Sequence, residues 1–159
     1  MAGTTRSVGN GTGMAGDTVW GDFNGDGMKE FLWVTGAWDS VQHCKQNCTC
    51  RILCSDKRFP VLDTRHEIWE GTLMNEGDLD GDGADDVSLA GFNEGSWGIC
   101  YVYTFRKGRW REGVPPFPIW DGLGERNIEK DPARKGYVII REWFCSDSIY
   151  VKARTVKIR

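Results

Sequence analysis

The sequence predicts an all-β protein built from repeated four-stranded units, and two observations carry that prediction. From Thr18 onward, short apolar runs separated by turn residues dominate, and no stretch keeps a helical period. The runs also recur in the same order in two halves of the chain, each time behind an acidic, glycine-punctuated loop.

Residues 1–16 are rich in Gly, Ser, Thr and Asn with few apolar positions, the composition of a flexible tether. No signal-peptide pattern precedes them, so a mature form is expected. Asn10-Gly-Thr12 and Asn47-Cys-Thr49 fit the glycosylation pattern and are read as chance matches. One β domain is expected over 17–159, with repeats over about 17–70 and about 71–120 and a degenerate third unit over about 121–159.

The stretch from Trp20 to Val34, WGDFNGDGMKEFLWV, places oxygen ligands between two apolar segments. Asp22, Asn24 and Asp26 alternate, Gly27 follows and Glu30 closes the run, giving side-chain oxygens at positions 1, 3, 5 and 9; Met28, at position 7, would offer its backbone carbonyl. A second copy has Asp78, Asp80, Asp82, Gly83 and Asp86 ahead of Val87 to Ala90, with Ala84 at position 7. Calcium takes about six to eight oxygens at roughly 2.3–2.6 Å, which alternating acids around a glycine turn can supply. An EF-hand-type loop would need its last acid at position 12, but Trp33 and Leu89 stand there inside apolar runs, so each loop closes at position 9.

In these residues the chain resembles the FG-GAP or VCBS-type repeat, a nine-residue calcium loop between two strands found in integrin alpha-subunit propellers and many secreted bacterial proteins. The resemblance covers about 15 residues in each copy. It implies two calcium ions, held by Asp22, Asn24, Asp26, Met28 and Glu30 and by Asp78, Asp80, Asp82, Ala84 and Asp86.

The halves repeat beyond the loops. FLWV is followed by CRILC, a charged turn at Asp56-Lys57-Arg58 and Phe59; DVSLAG is followed by CYVYTF, a turn at Arg106-Lys107-Gly108 and Trp110. The unit reads strand, loop, strand, crossover, strand, tight turn, strand, which is how a four-stranded propeller blade is built. The third unit offers strands at Tyr137 to Ile140, Glu142 to Phe144 and Ile149 to Ile158, but its KDPARKG has no ligand series. Propellers need about four or more blades, so the expected architecture is a compact β-sandwich or a partial propeller of blade-like units.

Six cysteines, at 44, 48, 50, 54, 100 and 145, favour disulfides in an oxidising compartment. Cys44, Cys48, Cys50 and Cys54 lie in CKQNCTCRILC, which lacks the C-x2-C knuckle of a structural zinc site. Cys100 with Cys145 is the pairing expected for the isolated two.

The net charge of −3 would move to about +1 with two calcium ions bound. No clustered basic stripe speaks for nucleic acid; VKARTVKIR reads as a solvated strand face. No apolar run reaches the ~18 residues of a membrane span.

Of eight tryptophans, Trp20, Trp33, Trp69 and Trp143 are expected in the core, whereas Trp38, Trp97 and Trp120 fall in presumed loops where a flat ring can stack on a sugar or anchor a protein. Catalysis finds little support. HEIWE lacks the second His of a zincin helix, His43 beside the cysteines matches no nucleophile pattern, and the acid pairs are committed to metal. The expected function is a non-enzymatic, calcium-binding module, secreted, periplasmic or held in the cell envelope, that binds a protein or glycan. The alternative is an envelope inhibitor or immunity protein that blocks a toxin or lytic enzyme through a protruding loop, 41–56 or the proline-stiffened Gly113 to Arg126.

Overall fold

The computed structural model describes residues 18–35, 49–68, 70–121 and 126–159. The described chain is all-β, with three antiparallel sheets and no closed barrel. The first sheet holds β1 (Thr18–Gly21), β2 (Glu30–Thr35), β3 (Arg51–Cys54) and β4 (Leu62–Asp63) in sequence order. The second holds β5 (Glu70–Gly77), β6 (Asp86–Glu94), β7 (Trp97–Arg106) and β8 (Arg109–Trp120), again in sequence order. The third runs β11 (Ile149–Lys157), β10 (Tyr137–Cys145), β9 (Ile128–Lys130). Each acidic loop joins the first two strands of its sheet, as the repeat predicted.

Alternation along the strands explains the layers. In β2, Leu32 and Val34 point into the first core while Phe31 and Trp33 point the other way. The first core joins Leu32, Val34 and Ile52 to Leu73, Val87, Leu89, Tyr101 and Tyr103 of the second sheet. The opposite face of that second sheet, with Cys100, Val102, Val114, Phe117 and Ile119, packs on Ile128, Val138, Ile140 and Ile158 in a second core. The middle sheet is therefore buried on both faces and the outer two on one.

Several expectations need correction. Gly113 to Trp120 is not a protruding loop but part of β8, with Pro115, Pro116 and Pro118 inside the strand. β8 is an edge strand, so a proline there forfeits no obligatory ladder bond; the register breaks between Cys100 and Val102 opposite those prolines. Trp20 is 60% exposed rather than core, Trp33 is half-buried, and Trp143 is buried. Trp97 and Trp120 stand on strands, paired with each other across β7 and β8, and not in loops. The expected third-unit strands at 137–140 and 142–144 are one continuous β10.

No disulfide occurs among the described residues: Cys50, Cys54, Cys100 and Cys145 are free. Cys100 faces the second core, buried, while Cys145 is exposed where β10 ends, so the expected pair does not form. Burial pushes the Cys50 thiol up to about 12, which makes it an inert packing group. The tether, Trp38, His43, Cys44, Cys48 and Trp69 lie outside the described residues.

Candidate metal centres

The two acidic loops share five hydrogen bonds at matching positions, and the second adds one from the Gly81 N–H to Asp78 Oδ1 (2.7 Å). In the first, the Asp22 carboxylate accepts the N–H groups of Asp26 (3.0 Å) and Gly27 (2.8 Å), Asn24 Oδ1 accepts that of Asp26 (2.9 Å) and Asp26 Oδ1 that of Met28 (2.8 Å). Glu30 reaches back to the Phe23 N–H (3.0 Å). In the second, Asp78 accepts from Asp82 (3.0 Å) and Gly83 (2.9 Å), Asp80 from Asp82 (3.0 Å), Asp82 from Ala84 (2.9 Å) and Asp86 from Leu79 (2.8 Å). A carboxylate that takes two backbone N–H groups pins the turn, so acids at positions 1, 3, 5 and 9 shape the loop as well as charge it. Gly27 and Gly83, at φ 86° and 91°, supply the left-handed backbone that lets the chain curl. Phe23 and Leu79, at position 2, anchor the loops in the two cores.

The donors converge. One carboxylate oxygen from each of Asp22, Asp26 and Glu30 lies within 4.8 Å of the others, and the same holds for Asp78, Asp80 and Asp86. Ligands of one calcium ion, each at roughly 2.3–2.6 Å from it, stand at most about 5 Å apart. Both oxygen-only trios thus fit a hard divalent cation. Of the other expected side-chain ligands, Asn24 accepts the Asp26 N–H through Oδ1, and Asp82 is not part of the converging trio, its Oδ2 standing 3.4 Å from Arg106 Nε. The expected carbonyl donors differ in setting, Met28 being exposed and Ala84 buried.

Charge is unevenly compensated. Glu30 and Asp86, which close the loops, are 4% and 1% exposed, and neither makes an ion pair among the described residues. Burial raises the Glu30 carboxyl above its ordinary range, and the Asp26 and Asp22 charges add to the rise. Burial and then the neighbouring Asp80 charge push Asp86 up to about 8. Burial also raises Asp80, against the pull of the Arg106 guanidinium. Asp26 is held below the usual range by the Met28 N–H, with help from Arg58.

Four contributors escaped the sequence reading. Arg58 Nη2 pairs with Asp26 (3.1 Å) and Asp56 (2.6 Å). Arg106 Nη2 pairs with Asp80 (2.6 Å). Arg58 lies in the turn after β3 and Arg106 is the last residue of β7, next to the matching turn; the charged pattern was visible in the sequence without its target. Asp85, between Ala84 and Asp86, accepts the Asp22 N–H (3.0 Å) and donates its own N–H to Asp22 O (2.8 Å), while Asn75 Nδ2 bridges Asp85 (3.0 Å) and Trp20 O (2.9 Å). The third unit keeps only an echo: Asp131 caps the Ala133 N–H (2.9 Å), and Arg134 lies over the Tyr137 ring at 3.8 Å.

Of the candidate partner-binding rings, Trp97 is 38% exposed and lines a groove of about 310 Å³ with Ile68, Gly98, Ile99 and Tyr101. Trp120 is half-buried between Trp97 (6.4 Å between ring centres) and Trp143 (5.5 Å). No family model, curated protein or solved structure matches this chain. The resemblance to calcium-loop repeats accordingly rests on the two loops.

Proposed function

We propose that each loop binds one calcium ion and that the chain is a non-enzymatic, calcium-stabilised binding module of the secreted or cell-envelope kind, made of blade-like units. The observation that carries this reading is the pair of buried closing acids, Glu30 and Asp86, each facing further carboxylates with no ion pair among the described residues. A buried carboxylate in a cluster of like charges needs a cation or a proton. The repeated donor set of oxygens only, at calcium spacing, favours the cation, and calcium over the softer metals. At ~2 mM calcium and a Kd on the order of 0.1 mM, each site would add roughly 1.8 kcal/mol to stability. No residue here would perform chemistry on a substrate; the ions would fix the turns between strands.

The partner in this reading is a protein or a glycan, met on the Trp97 side, where an exposed ring borders the groove. Calorimetric titration of the chelator-stripped protein with calcium tests the metal: two sites are expected, and Asp78→Ala should remove one. Heat absent from the parent titration overturns the reading. For the partner, Trp97→Ala should abolish retention on a glycan array or on captured surface protein; unchanged retention would move the contact elsewhere.

A further inference from the structure

An exposed edge strand offers a row of unpaired N–H and C=O groups to any extended chain, and most sheet edges of this protein are blunted. In the first sheet, the edge strands β1 and β4 are only four and two residues long. In the second, β5 breaks register between Asn75 and Gly77 and is tied through Asn75 Nδ2 to Trp20 O of β1 (2.9 Å). Its other edge, β8, carries Pro115, Pro116 and Pro118, which have no N–H to offer. In the third sheet, β9 has three residues.

Among the described residues β11 is the exception. It runs nine residues, Ile149–Lys157, without proline or glycine, and pairs with β10 alone in unbroken register, from Ile149 opposite Cys145 to Lys157 opposite Tyr137. In an antiparallel ladder every second residue turns its N–H and C=O away from the partner strand. No donor or acceptor among the described residues meets those of β11. Its side chains are exposed along the whole strand except at half-buried Val156, and three consecutive apolar residues, Ile149, Tyr150 and Val151, are 40%, 38% and 39% exposed. A run of that kind on a surface is a liability unless it serves an interaction.

Charge selects the occupant. β11 carries three cations, Lys152, Arg154 and Lys157, and no acid. Alternation puts Tyr150, Lys152 and Arg154 on one side of the strand and Ile149, Val151 and Ala153 on the other. Arg154 Nη2 bonds Glu142 of β10 (2.8 Å), whereas Lys152 stands 5.7 Å from the Phe144 and Tyr150 ring centres and has no ion pair among the described residues. A second copy of β11 fits poorly, because it would set three more cations beside these. We infer that β11 is a docking edge for an extended partner peptide in which acidic and apolar residues alternate. Such a peptide adds a fourth strand to the third sheet. Its main chain completes the open ladder, its acids lie beside Lys152 and Arg154, and its apolar side chains lie beside Ile149 and Val151. β11 shares no residue with the acidic loops or the Trp97 groove, so docking there needs neither a cation nor a glycan.

The test is fluorescence anisotropy of the full chain with labelled peptides as long as β11 that alternate Glu with Val, Ile or Tyr, beside their lysine counterparts. Amide hydrogen exchange places the contact. The acidic peptides are expected to bind and to slow exchange at the outward amides of Ile149–Lys157, and the lysine peptides to bind about 10-fold or more weakly. Lys152→Glu, its fold checked by circular dichroism, should weaken the acidic peptides about 5-fold. Methylating the internal amide nitrogens of the peptide should abolish binding, since its charge stays and its ladder donors are gone. Acidic peptides that fail to bind overturn the inference, as do lysine peptides that bind equally, binding that survives N-methylation, or slowed exchange only outside β11. A parent that dimerises in sedimentation with these amides protected gives the edge to a second copy and overturns it too.

Discussion

The two acidic loops share a hydrogen-bond pattern but differ in how deeply they are set and how they are neutralised. The first is a surface feature: Asp26 and Met28 are exposed, and its arginine, Arg58, has a side chain 72% exposed and reaches only Asp26 among the proposed ligands. The second is sunk into the fold. Asp80 and Asp86 are both buried, and Arg106, half as exposed, engages Asp80 and Asp82 together. Identical spacing of acids therefore serves two electrostatic situations, and under the proposed reading the surroundings rather than the spacing would decide how strongly each loop depends on a cation.

The sharpest break of this comparison is substitution of the closing acids. In calcium, Asp86→Ala should cost about 3 kcal/mol, by removing a buried ligand and orphaning the Leu79 N–H, and Glu30→Ala about 2 kcal/mol. In EDTA, Asp86→Asn should instead stabilise the protein, because a neutral amide spares the cost of protonating, or of burying charged, a carboxylate whose pKa is pushed up to about 8. Urea unfolding in both buffers reads this, and equal costs for the two loops would erase the distinction.

Acidity separates the loops next. Asp86 has a folded-state pKa of about 8, above its ordinary unfolded value near ~4. In EDTA its contribution to stability is present in full below about pH 4 and is lost as pH rises through about 8. The melting temperature of the stripped protein should accordingly fall across that window through this group, and Asp86→Asn should flatten the slope. Saturating calcium should remove the slope as well, since the bound ion holds the carboxylate ionised. A slope unaffected by either change would locate the titration elsewhere.

The arginines refine the contrast. Arg106→Ala should tighten calcium binding at the second loop by about 10-fold, because a cation that competes for two ligands is gone, and Arg58→Ala should do so about 2-fold at the first. Site-resolved titration, with the other loop disabled, measures both. The smallest expected difference is a control: Gly27→Ala and Gly83→Ala should each cost about 1 kcal/mol, alike in the two loops, because both act through a left-handed backbone angle with open space where the Cβ would stand.

What the sequence revealed and what it concealed divide along the same physical line. Ligand spacing and strand alternation are local, so the loops, the strand order of the first two units and the missing ligand series of the third could be read from it, whereas the third unit's strands could not. The Arg58 to Asp26 and Arg106 to Asp80 pairs join residues 32 and 26 positions apart, and Asp85 meets Asp22 across 63; no local pattern encodes them. The prolines of β8 misled because their lost donors matter only in a central strand, and edge position is a property of the whole sheet. Trp20 was placed in the core because its apolar run resembled a buried strand, but which face of the first sheet is covered is settled by the neighbouring sheet. The cysteine count favoured disulfides, yet Cys100 is a packing residue of β7 that faces the second core.

The two hydrogen bonds between Asp22 and Asp85, one backbone to backbone and one from the Asp22 N–H to the Asp85 carboxylate, make the loops thermodynamic neighbours. Asp22 opens the first ligand series, and Asp85 adjoins the acid that closes the second, so ordering either turn prepays part of the entropy of ordering the other. By linkage, a first ion would raise the affinity for the next whichever loop it entered, and the protein would respond to calcium over a narrower concentration range than two independent sites allow.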